Sequence, residues 1–229
     1  MVVFLRKHFP VFFAFIYRLY KRTHIHCQRG NCLDIGNALL CRCNVVVKGR
    51  GNEIRVNSSD NNPSILVDVD IYISGDNNLI EIGQGSSIKK VQFHIEDDKS
   101  KISVGQFTQM FGPVHLAAIE GTNVEIGAGC LFSQGITIRT GDSHSIIDLA
   151  MLKRINQSKD IYIGEHVWVG QSVTILKGTT IAHDSIIGAG SLLTGKHYLE
   201  NSIYGGVPAS LIRTGVSWDA NRVKDGTCK

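Results

Sequence analysis

"IGEHVWVGQSVTILKGTTIAHDSIIGAGSLL", residues 163–193, counts in sixes. Ile163, Val169, Ile175, Ile181, Ile187 and Leu193 recur at every sixth position. The fifth place of each hexad holds Val167, Val173, Thr179, Ser185 and Ser191, and the second place is small in four of five hexads. A period of six fits neither the 3.6-residue helix nor simple alternation along one long strand. It predicts a parallel β-helix: each hexad is a short strand plus a turn, three hexads close one coil, and coils stack at the strand spacing of about 4.8 Å. The first place should fill the interior, and the fifth should sit where the wall turns a corner and leaves little room.

Upstream the same frame reads IGAGCL from Ile126, FSQGIT from Phe132 and IRTGDS from Ile138, and the next place in the count is His144. Farther back a looser repeat runs through NCLDIG (31–36), NEIRVN (52–57), NLIEIG (78–83), SKISVG (100–105) and NVEIGA (123–128). These segments place Ile35, Val56, Ile82, Val104 and Ile126 in equivalent positions, the last three 22 residues apart. Coils of that length exceed three bare hexads, so polar stretches such as SSDNNP (58–63) and EDDKS (96–100) are expected outside the wall as loops.

The remaining composition agrees with one all-β domain. The chain has 229 residues, 24 glycines against 4 prolines, and 43% hydrophobic residues. A net charge of +4, without a Lys/Arg stripe interleaved with aromatics, argues against a nucleic-acid partner. Cys27, Cys32, Cys41, Cys43, Cys130 and Cys228 form no CxxC pair, so reduced thiols packed in narrow coils are expected rather than a zinc knuckle or a disulfide framework. Three regions follow: an apolar and basic segment at 1–26, a β-helix over 27–213 with an arm at 144–160, and a tail at 214–229. In the first, the uncharged run from Phe9 to Tyr17 is far short of the ~20 residues needed to span a bilayer. Read as a short helix, it either caps the open end of the β-helix or lies on a membrane surface as a peripheral contact.

The count breaks at His144, and the segment SHSIIDLAMLKRINQSKD (143–160) keeps no hexad frame. It carries Ile146, Ile147, Leu149, Met151, Leu152 and Ile155, more apolar surface than a solvated loop needs, so it should fold over its own wall or over a neighbouring subunit. Asp142, Ser143, His144 and Ser145 stand at its base, and Trp168 takes the sixth, outward place of its hexad. A broken repeat, an apolar arm and a corner tryptophan together point to catalysis by His144. An imidazole can accept a proton from an attacking hydroxyl and pass it to a leaving thiolate near neutral pH. Asp142, Asp148 or a main-chain carbonyl could orient it. The plainer readings are a solvated loop histidine and a tryptophan that anchors an interface.

The hexads, together with "GDSH", "GEHVWVGQ", "GAGSLLTGKH" and "GGVPASLIR", resemble the left-handed β-helix acyltransferases of the hexapeptide-repeat family, polysaccharide O-acetyltransferase branch, and within it the bacterial capsular sialic-acid O-acetyltransferases. The resemblance is strong over 124–213 and rests only on coil rhythm upstream. It implies a left-handed coil, a homotrimer in the cytoplasm, and acetyl-CoA lying between subunits with no metal. Acetyl would pass directly to a hydroxyl of a capsular or lipopolysaccharide sugar. It places the catalytic histidine on His144 and its indole neighbour on Trp168. Coenzyme A contacts fall on Ala189, Thr194, Lys196, Pro208 and Arg213, with Gly195 separating Thr194 from Lys196. N-acetylation of an amino sugar, a non-catalytic binding module, and a zinc β-helix enzyme using His94, His115 and His144 are the alternatives.

Overall fold

The computed structural model describes residues 8–222, so the outermost parts of the 1–26 segment and of the 214–229 tail, with Cys228, lie outside the described residues. Every hexad contributes one short strand to one of three walls. The first wall has eight strands, beginning with His24–Cys27 and ending with Leu192–Leu193. The second also has eight, from Cys32–Asp34 to His197–Tyr198, and the third has nine, from Leu39–Cys41 to the terminal pair Ser202–Gly206 and Ala209–Thr214. Strands in each wall pair in parallel with the coils before and after, except that Ala209–Thr214 turns back antiparallel on Ser202–Gly206.

Register confirms the two rhythms. Val104 pairs with Ile82 on one side and Ile126 on the other, the 22-residue spacing. Downstream, Trp168 pairs with Ile186 and Thr174 with Leu192, bare three-hexad coils. Alternation within a strand sends one face inward: Val91, Phe93 and Ile95 are buried while Gln92 and Glu96 face solvent. First-place aliphatics from Ile163 to Leu193 are all buried, each worth roughly 1.5–3 kcal/mol over exposure.

Fifth-place residues are also fully enclosed, because each points inward from its corner. One corner forms a ladder in which each side chain donates to a carbonyl of the following coil. Ser64 Oγ donates to Gly83 O (3.2 Å), Ser86 Oγ to Gly105 O (3.2 Å) and Thr108 Oγ1 to Gly127 O (3.1 Å). Cys130 continues it, its Sγ 3.2 Å from Gly164 O. Burial pushes the Cys130 thiol up to about 12, which suits an inert corner group rather than a nucleophile. A second ladder, unforeseen from the sequence, stacks amides: Asn31 Oδ1 accepts from Asn52 N (2.9 Å), Asn52 Oδ1 from Asn78 N (2.9 Å) and Asn78 Oδ1 from Ser100 N (2.8 Å). Together the ladders satisfy main-chain groups that turning the corner removes from the sheets. The described cysteines are all free thiols.

Both ends are closed. Helix Pro10–Tyr20 lies over the first coil, with Ala14 buried and the Arg18 guanidinium reaching the carbonyls of Ile35 (3.2 Å), Gly36 (2.5 Å) and Ala38 (3.2 Å). The helix thus packs against the first coil through its Arg18 and Ala14 side. At the other end Tyr198 and Tyr204 meet edge to face, 4.9 Å between centroids, and plug the interior.

Candidate active site

The arm leaves the first wall after Thr140 and returns at Lys159, whose N–H donates to Thr140 O (2.9 Å). Its corner lies between strand Ile136–Arg139 of the first wall and strand Ile161–Ile163 of the second. Within it, Ile147–Asp148 and Lys153–Arg154 pair antiparallel as a hairpin, and Asp148 Oδ1 caps the turn by accepting from Ala150 N (2.8 Å) and Met151 N (2.9 Å).

One buried side chain organises the base. Asn156 donates from Nδ2 to His144 O and to Asp142 Oδ2, both at 2.8 Å, while its Oδ1 accepts from Ile146 N (2.7 Å). Lys177, one coil on, binds Asp142 Oδ2 and reaches Asn156 O (3.1 Å). The Lys177 ammonium, and then the Asn156 amide, hold the Asp142 carboxyl below its usual range. Two further contacts pin the arm: Arg154 pairs with Glu120 (2.7 Å), and Ser158 Oγ donates to Glu120 (2.8 Å). His144 itself is exposed, and Arg139 holds the Oγ of the preceding Ser143 at 2.9 Å. Ser143 sits at φ 62°, a left-handed conformation that costs a non-glycine residue and re-aims the chain into His144.

The expectation that Asp142 or Asp148 orients His144 meets a different arrangement. Asp142 is committed to Lys177 and Asn156, and Asp148 to the hairpin turn. It is the His144 carbonyl, not its ring, that is fixed.

Trp168 is 41% exposed on strand Trp168–Val169 of the third wall. In a three-walled coil the corner between the first two walls faces away from the third, so one chain does not bring Trp168 to His144. The expected coenzyme contacts divide in the same way. Thr194 and Lys196 stand on the arm's own edge, where Gly195 N donates to Thr179 Oγ1 (3.1 Å) and Gly178 N, one coil back, to Asp160 O (3.0 Å). Pro208 and Arg213 belong to the third wall's terminal hairpin, with Arg213 opposite Ile203. Ala189 lies at the corner between the third and first walls, its N 2.8 Å from where a Cβ on Gly170 would sit, so a side chain there would displace it. Among the described residues neither Lys196 nor Arg213 has a carboxylate partner.

Beside Trp168 the chain adds a residue that sequence reasoning passed over. Trp218, in the tail, stacks on His166 (4.4 Å between centroids, 10° between planes), donates Nε1 to His166 O (2.8 Å) and stands 6.1 Å from the Trp168 ring. His166 and His183 both bind Asp184, at 2.7 Å each. Asp184, then Glu200 across the corner, raise the His183 imidazole above its ordinary value. Both histidines are therefore engaged at an outer corner. His94 and His115 lie on the first wall with rings 6.2 Å apart, His94 stacked on Tyr72 (5.1 Å). Among the described residues no three His, Cys, Asp or Glu side chains converge as a metal-binding group.

Comparison with known proteins matches residues 160–195 to the bacterial transferase hexapeptide family (six repeats). The structure superposes on that of the "polySia specific acetyltransferase NeuO" with a TM-score of 0.79 and 28% identity, covering 89% of this chain and 91% of that one. This chain is an O-acetyltransferase built on a parallel β-helix and similar to these proteins, with the hexapeptide repeat matched over 160–195. It also superposes on the polysialic acid O-acetyltransferase OatWY, with a TM-score of 0.75 and 25% identity over 90% of this chain and 94% of that one. By sequence it is 29% identical to the polysialic acid O-acetyltransferase of Neisseria meningitidis over 68% of this chain and 71% of that enzyme. Identity to the Escherichia coli O1:K1 polysialic acid O-acetyltransferase is 32% over 52% of this chain, a match spanning 38% of the E. coli enzyme's length. The superpositions extend the likeness through the upstream coils.

Proposed function

We propose that this O-acetyltransferase moves acetyl from acetyl-CoA to a hydroxyl of a bacterial capsular polysaccharide, with polysialic acid the first acceptor to test. The observation that carries the reading is the exposed His144 on an anchored arm, in a chain similar over nine-tenths of its length to an acetyltransferase specific for polysialic acid. His144 acts as general base. As the acceptor oxygen attacks the thioester carbonyl, its proton passes to the imidazole; the C–O bond forms, the C–S bond breaks, and the imidazole returns the proton to the departing thiolate. Both substrates are bound together, so most of the acceleration comes from placing them side by side. Main-chain N–H groups of Ser143, His144 and Ser145, which find no acceptor among the described residues, are suited to the developing oxyanion.

The site is completed by a neighbour in a homotrimer. His144, Thr194 and Lys196 share one edge and Trp168, Pro208 and Arg213 the far wall, so acetyl-CoA can touch both sets only between two chains. The arm supplies the contact: Leu149 and Leu152 are 85% and 79% exposed, too apolar to remain in water. The test is acetyl-CoA consumption against a panel of purified polysaccharides that includes polysialic acid. The expected result is turnover that falls about 10²–10⁴-fold in His144→Ala, the usual worth of a general base. Unchanged transfer in that variant would remove His144 from the chemistry, and no transfer by the wild-type protein to any acceptor would leave a binding scaffold instead. Alkali-labile product distinguishes the ester from the amide of an amino sugar.

A further inference from the structure

Helix Pro10–Tyr20 is built inside out. A helix lying on a globular surface turns its apolar stripe to the core and its charges to water. Here the only charged residue of the helix, Arg18, faces the coil and spends its guanidinium on the main-chain carbonyls of the 35–38 segment. Burial lowers its pKa accordingly. Val11, Phe12, Phe15, Ile16, Leu19 and Tyr20 all face outward and are 47–78% exposed. At 100° per residue these six sweep half the helix cylinder without a polar interruption, whereas Phe13, Ala14 and Tyr17 share the inner half with Arg18. Capping the coil accounts for the inner half and leaves the outer half unexplained.

We propose that this outer half docks on an anionic lipid bilayer, holding the enzyme at a membrane surface. Charge complementarity selects that occupant over a second copy of the chain: the helix has no acidic residue in its first turn, and Lys21 and Arg22 follow its last turn directly. In sequence Arg6 and Lys7 precede the apolar run, so it is bracketed by cations along the chain. Two copies meeting face to face would bring these like charges together, whereas anionic headgroups would neutralise them. Eleven residues rise only about 16 Å, half the thickness of a hydrocarbon core, so the helix lies in the interface and does not cross it. Among the described residues no helix is long and apolar enough to span. Phe12, Phe15 and Tyr20 suit the headgroup boundary, where aromatic rings are favoured. The arm follows the sixth strand of the first wall, several coils along the solenoid from this helix.

The test is sedimentation of the full-length protein with vesicles of phosphatidylcholine alone and of phosphatidylcholine mixed with phosphatidylglycerol. The mixed vesicles should carry the protein down, and raised salt should release much of it. The double variant Phe15→Ser/Leu19→Ser leaves Arg18 in place, so the cap and acetyl transfer to soluble acceptor should persist while partition falls at least about tenfold. Lys21→Glu/Arg22→Glu should abolish the preference for anionic vesicles. Absence of the wild-type protein from the mixed vesicles, or equal partition of the double variant, overturns the proposal. So does a loss of self-association in the double variant without any vesicle binding, which would assign the face to a second copy. Because the readout is partition, it stands or falls separately from the identity of the acceptor.

Discussion

The wall and the arm of this molecule are ordered by opposite means. In the wall, Ile138 and its kin are buried and polar groups stay outside, so each coil gains stability from the one beneath it. In the arm every large aliphatic side chain is about half exposed or more, and the buried member is a polar one, Asn156. A wall of this kind can fold on its own account. The arm is held by polar contacts, through Asn156, Lys177 and Glu120, and its apolar side chains take no part in that anchoring.

This contrast can be broken most forcefully by separating activity from stability. His144→Ala should lose about 10²–10⁴-fold in kcat with an unchanged melting temperature. Ile138→Ala, one hexad earlier, should instead cost about 2–5 kcal/mol of stability, read by chemical denaturation, because it opens a cavity that stacked coils cannot fill. Any large melting shift in the first variant would mean that the arm is part of the core after all. Asn156→Ala comes next: with the anchor gone, turnover should drop roughly a hundredfold through misplacement of His144. Limited proteolysis should cut within 141–158 while the wall's circular dichroism stays as it was. Leu149→Ser with Leu152→Ser should weaken assembly, so that sedimentation shows lighter species made of folded chains. The smallest effect expected is that of acid. Asp142, paired with Lys177, and Glu120, hydrogen-bonded by Arg154 and Ser158, both have folded pKa values below the ordinary carboxylate range. Their support for the arm is therefore fully present above that range and is lost only as pH falls through the depressed values, below about pH 4. Proteolytic opening of the arm already at pH 6 would contradict that anchoring.

These regions also differ in how far they could be read from the sequence. From Ile163 to Leu193 the wall is legible because one aliphatic recurs at a fixed interval, and interior filling is a purely local demand. Upstream it fades, because loops outside the corners lengthen coils unequally: the amide ladder joins Asn31, Asn52 and Asn78 across gaps of 21 and 26 residues. His144 is legible as an interruption, and Trp168 as an apolar residue in an outward place. Their supports are not, since Asn156 stands 14 residues from Asp142, and Lys177 stands 35. Nor could helix periodicity reveal which half of Pro10–Tyr20 faces the coil. Placing its single charge in water, the ordinary rule, would have turned it the wrong way round.

The placement of His144 and Trp168 on opposite sides of one chain has a consequence for mixtures. In a ring of three, each site would draw its histidine from one chain and its indole from the next, so two defective chains can repair each other. A chain lacking the histidine still offers an indole, and a chain lacking the indole still offers a histidine. Any trimer containing both kinds has one intact site of three. Equal mixing of His144→Ala and Trp168→Ala chains, refolded together, should therefore recover about a quarter of wild-type turnover from two preparations that are each inactive. Such inter-chain complementation would make dominance, rather than residual activity, the natural measure of a mutation in this enzyme.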